Sequence, residues 1–110
     1  MRKQLATFIQ NRKFKVKMIS YWKNPKVVYT DDEMSLIIGR YDHMNENGGG
    51  DKALGIHWID YPQSRGILSP CVIPMSTRNA ILSGLLHDAI ISKNQDNIGK
   101  ITEAIEYFIE

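Results

Sequence analysis

Cysteine is nearly absent from this sequence, long apolar runs are missing, and the first 30 residues contain no acid. A single cysteine, Cys71, in 110 residues leaves no internal disulfide framework and no multi-cysteine zinc or iron–sulfur site. No apolar stretch approaches the roughly 20 residues of a membrane-spanning helix. The opening MRKQLATFIQNRKFK has neither an uninterrupted apolar core nor a small-residue cleavage site, so no secretory leader is expected. With a lone thiol, this points to a cytoplasmic protein. The three histidines, His43, His57 and His87, fall in none of the spacings used by metal sites, so no metal and no cofactor are expected. Gly48-Gly49-Gly50-Asp51-Lys52 lacks the GxxxxGK pattern of a phosphate-cradling loop, and Asp51 would repel phosphate.

What is present is ordinary globular composition, 43% hydrophobic and 24% charged, in a length that suits one domain over residues 1–110. The net charge of +2 conceals an uneven distribution. Residues 1–30 carry eight basic side chains and no acid, whereas residues 31–110 carry six basic and twelve acidic ones, a split of +8 against −6. Such asymmetry is a known footprint of nucleic-acid or acidic-surface contact.

Periodicity divides the chain into elements. Leu5, Phe8 and Ile9 suggest a short helix over 3–12. Phe14, Val16, Met18 and Trp22 alternate with Lys15, Lys17 and Tyr21, which is the pattern of a half-buried strand. Lys23-Asn24-Pro25-Lys26 reads as a turn and Val27–Tyr29 as the return strand. Thr30-Asp31-Asp32-Glu33 has the chemistry of a helix start, and Met34, Ile37, Ile38 and Tyr41 mark one face of a helix running to about Met44. A glycine-rich loop follows. Residues 53–60 then make a strand, with Leu54, Ile56 and Trp58 on one face. Tyr61–Ser64 is a turn, and Gly66–Ile73, broken at Pro70, is a bent or edge strand. Ser76 and Asp96 are the expected caps of two C-terminal helices. The paired strands make the fold class α+β: a small, mostly antiparallel sheet of about four strands, packed by a capped central helix and two C-terminal helices.

Three sets of residues bear on function. Lys13, Lys15, Lys17, Lys23 and Lys26, flanked by Tyr21, Trp22 and Tyr29, offer phosphate contacts and base-stacking rings to a nucleic acid. His57, Asp60, Tyr61 and Cys71, with Arg78 at the following helix start, are the groups from which a small-ligand or enzymatic pocket would be built. Gly84 with Ile98, Ile101, Ile105 and Phe108 forms the narrow apolar stripe expected of a helix–helix seam between subunits. No catalytic constellation is visible. The expectation is a non-enzymatic interaction or regulatory protein that forms a homodimer and contacts another protein. Nucleic-acid binding is the alternative, an enzymatic pocket the second alternative, and no membrane partner is expected.

Overall fold

The computed structural model describes residues 21–109. Strands β1 (Trp22–Thr30), β2 (Ser35–Tyr41), β3 (Asp51–His57) and β6 (Cys71–Ile73) form one antiparallel sheet in the order β1-β2-β3-β6. A two-stranded ribbon, β4 (Gln63–Ser64) with β5 (Ile67–Leu68), lies between β3 and β6 in the chain. Two helices, α1 (Met75–Ile91) and α2 (Gln95–Ile109), follow. The fold is α+β, with a four-stranded antiparallel sheet as expected. The expected helix over 3–12, the strand over 14–20 and Lys13, Lys15 and Lys17 lie outside the described residues.

The capped central helix is a strand instead. The Asp31 carboxylate does cap two orphan amides, accepting from Glu33 N at 2.7 Å and Met34 N at 3.0 Å. The same carboxylate chemistry that starts a helix here closes a tight turn, because Asp31 N donates to Met34 O at 3.0 Å and returns the chain alongside β1. Residues Ser35–Gly39 are all buried. An apolar run enclosed on both faces imitates the helical spacing of Ile37, Ile38 and Tyr41.

The turn expected at Lys23–Lys26 is likewise replaced by an irregularity within β1. The register slips between Lys23 and Lys26, and Asn24 takes φ 52°. Asparagine tolerates the left-handed region, and proline is accommodated where a bulge removes the need for its missing N–H. Val27–Tyr29 therefore continues the strand that began at Trp22.

Alternation assigns the two faces. Leu36, Ile38, Leu54 and Ile56 point to the helices, where Val28, Ile73, Leu82, Ala89, Ile101 and Ala104 complete the main core. Burying each of these large aliphatic side chains contributes about 1.5–3 kcal/mol. The opposite face holds Ser35, Ile37, Gly39, Ala53, Gly55 and His57. Trp22 and Leu68 cover part of it, and the indole N–H of Trp22 donates to Pro70 O at 3.1 Å.

Both helices are capped two residues before the expected positions. Pro74 occupies the N-cap position of α1, so Ser76 is already inside the helix. Asn94 caps α2, its Oδ1 accepting from Asn97 N at 3.0 Å, and Asp96 stands in the first turn, where it complements the helix dipole.

Candidate interaction surface

Strand β3 ends at His57, and the next four residues form a tight turn. Trp58 N donates to Tyr61 O at 2.8 Å, and Tyr61 N donates to Trp58 O at 3.0 Å. Between them Ile59 sits at φ 53°. A β-branched residue seldom adopts that region, so the turn holds strain that its surroundings must sustain. The rings of Trp58 and Tyr61 pack together with centroids 5.4 Å apart. Yet Trp58 is 40%, Ile59 62% and Tyr61 57% exposed. Three large apolar side chains are thus presented to solvent on a backbone fixed by a pair of reciprocal hydrogen bonds.

Beneath the turn, His57 is fully buried, opposite Ser35 of β2. Its Nδ1 lies 3.3 Å from the carbonyl oxygen of Ile59, while Nε2 has no hydrogen-bond partner among the described residues. Burial pushes the ring below the ordinary histidine value of 6.5, and the Ile59 carbonyl pulls weakly the other way.

The five residues expected to build a ligand pocket are dispersed. His57, Asp60 and Tyr61 share the turn region. Cys71 is exposed, its Cα pairs with Ile56, and it makes no hydrogen bond to His57 among the described residues. Arg78 lies at the far end of β3: its Nη1 approaches Lys52 O at 3.5 Å and its guanidinium stacks on Phe108 at 3.8 Å. Lys52 is five residues from His57 along the strand, about 17 Å at ~3.3 Å per residue. A paired role for His57 and Cys71 is therefore not supported by their placement.

The α2 stripe is turned inward. Ile101 is fully buried in the core of its own chain, and Ile98, Ile105 and Phe108 pack against that core. The four stabilise the monomer because the helix meets β1 and α1 along this stripe. Gly84 alone of the proposed seam stands clear, and a Cβ built there would meet nothing within 4 Å.

Of the described lysines in the nucleic-acid set, Lys26 forms an ion pair with Glu103 of α2, and Lys23 donates to Asn45 Oδ1 at 2.6 Å. Both contacts tie the basic segment to the acidic remainder of the chain. A cleft of about 380 Å³ between β1 and α2 is lined by Tyr29, Thr30, Asp31, Asp96 and Lys100 among others. Its acids are engaged: Asp31 holds the turn amides and the Tyr29 hydroxyl, and Asp96 pairs with Lys100 at 3.4 Å. Among the described residues no group of three or more His, Cys, Asp or Glu is placed to hold a metal ion, and no helix is long and apolar enough to cross a membrane. Comparison with protein families, curated proteins and solved structures finds no match.

The turn surface was only partly legible. His57, Trp58, Asp60 and Tyr61 stand out in the sequence as polar and aromatic groups gathered at one strand end. Strict alternation, however, assigns Trp58 to a buried face. The signal against that assignment was Pro62, which ends regular pairing close behind it.

Proposed function

We propose that this chain is a non-enzymatic interaction protein that acts through protein–protein contacts and associates with a second copy of itself. The observation that carries this reading is the turn Trp58–Tyr61, whose three apolar side chains are exposed on a hydrogen-bonded, strained backbone. Strain is retained where the surroundings and a role sustain it, and rigid aromatic anchors are the residue types from which contact hot spots are made. Ile90 and Ile91, 55% and 66% exposed, add to the same end of the molecule. Helix α1 starts beside Lys52 and spans 17 residues, about 25 Å at 1.5 Å per residue, and Asn94, three residues past its end, lines one cleft with Thr30 and Asp31 at the Ser35–His57 end of the sheet. With Asp60 half-buried between them, the exposed apolar side chains can meet those of a second copy across a two-fold axis.

Light scattering behind size exclusion tests the reading at tens of micromolar protein. A dimer that becomes monomeric when Ile59→Asp and Tyr61→Ser are combined is the expected result. A wild-type monomer overturns the self-association.

A further inference from the structure

We propose that His57 is a proton-operated latch beneath the apolar turn, so that the Trp58–Ile59–Tyr61 surface is assembled in neutral solution and dismantled in mild acid. The inference rests on the reading of that turn as the contact surface and adds its regulation.

Geometry fixes the state of the ring. A carbonyl oxygen only accepts, so the contact with Ile59 O at 3.3 Å places the hydrogen of the neutral imidazole on Nδ1. Nε2 is left as a bare lone pair with no partner among the described residues. A second proton must go to Nε2, which makes a fully buried cation whose new N–H points at no acceptor.

Among the described residues nothing around the ring compensates that charge. Across from it on β2, the Ser35 hydroxyl is engaged with Thr30 Oγ1 at 2.7 Å. In the neighbouring β1–β2 turn, the Asp31 carboxylate is taken up by Tyr29 and by the amides of Glu33 and Met34, while Asp32 and Glu33 are exposed. The turn's own acid, Asp60, is half-buried. Burial and the Ile59 carbonyl are the influences acting on the ring, and no carboxylate stands among them. Buried charge without a partner is relieved by admitting water.

The wall that yields is the turn. On the sheet side, the ladder from β2 to β3 is unbroken from Ser35–His57 to Tyr41–Asp51. Among the described residues the turn is held by its two reciprocal bonds, by Gln63 Nε2 donating to Asp60 O at 2.7 Å and by the link from His57, and lifting it frees Ile59 from φ 53°. Opening takes up one proton, so the ratio of open to closed turn rises about tenfold per pH unit below 6.5 until the enclosed ring itself titrates.

The test is NMR on the full chain with no partner added. Amide exchange, corrected for intrinsic rates, is followed from pH 7.5 to 5.0 together with the His57 ring signals. Protection at the Trp58 and Tyr61 amides is expected to fall about fivefold between pH 6.5 and 5.5, while Leu36 and Leu54 stay protected. In His57→Gln that dependence disappears, and in His43→Gln it persists. Unchanged turn protection, a simultaneous loss at all four amides, or a dependence that survives His57→Gln overturns the latch. Should His57→Gln not fold, the contrast between turn and sheet amides in the wild type decides alone. A turn that opens in acid in a chain that is monomeric at neutral pH refutes the dimer and upholds the latch. A dimer whose turn stays closed in acid does the reverse.

Discussion

The indole of Trp22 lies across Gly55 so closely that a Cβ on that glycine would stand 2.5 Å from Cζ2 and 2.6 Å from Cη2. The ring also passes over Gly39, where a Cβ would be 3.4 Å from Cε3 and 3.0 Å from Lys23 O. Two glycines, Gly39 on β2 and Gly55 on β3, thus make the shelf on which one tryptophan closes the second face of the sheet. Gly55→Ala is expected to displace the ring and cost about 1–3 kcal/mol. A urea midpoint equal to wild type would show that the indole has room to move.

Gly84→Ala should act in the opposite direction. The position is inside α1 and open, so alanine removes the glycine penalty and is expected to stabilise the chain by about 0.5–1 kcal/mol in thermal unfolding. Self-association through the turn at 58–61, as proposed, should be untouched. A dimer weakened by this one methyl group would return the interface to the helices.

Ile59→Asn separates stability from binding. Asparagine accepts φ 53° at far lower cost than a β-branched residue, so relief of strain of about 1 kcal/mol is expected. Because the lost side chain is largely exposed, little core burial is given up. The variant should melt at higher temperature and self-associate less, as read by calorimetry and light scattering on the same sample.

Asp42 gives a second, distinct pH signature. Enclosure alone would raise its carboxyl, but hydrogen bonds from the Gly49 and Asn47 amides and the nearby Lys23 charge outweigh that and hold it below 3.8. The carboxylate's clamp on the glycine loop is therefore intact above pH 3.8 and is lost as pH falls through the lower folded value. Asp42→Asn should reduce exchange protection of the Asn47 and Gly49 amides at neutral pH without altering the turn at 58–61. Equal protection in the variant would dismiss the clamp.

How far the sequence led depended on whether one face of an element or both were buried. Leu54 and Ile56 alternate with small Gly55 and Ala53, and that strand was legible. Ser35–Gly39 is enclosed on both sides, so its apolar positions carry no period, and Asp31 supplied helix-start chemistry to a hairpin turn. The α2 stripe was read as a contact between subunits, and the structure packs it against the core of its own chain. Spacing shows that Ile98, Ile101, Ile105 and Phe108 share a face; what covers that face is decided by β1 and α1, which periodicity does not register. The latch was equally hidden, because the bare Nε2 of His57 is a property of packing. The charge split did resolve in part: Lys26 meets Glu103 across the fold. Both partners are about half exposed, so a double-mutant cycle should return a coupling of only about 0.2–1 kcal/mol.

The ties between sheet and helices also order the folding of the chain. Strands β1, β2 and β3 pair with their neighbours in sequence, whereas Lys26–Glu103 and Lys52–Tyr107 join residues 77 and 55 positions apart. Local hairpins close quickly, and distant contacts must wait for a large loop to be brought together. The three-stranded meander is accordingly expected to form early and α2 to dock late. Until α2 docks, Leu36, Ile38 and Leu54 form an uncovered apolar sheet, and it is in that interval, more than in the native state, that this chain is prone to aggregate.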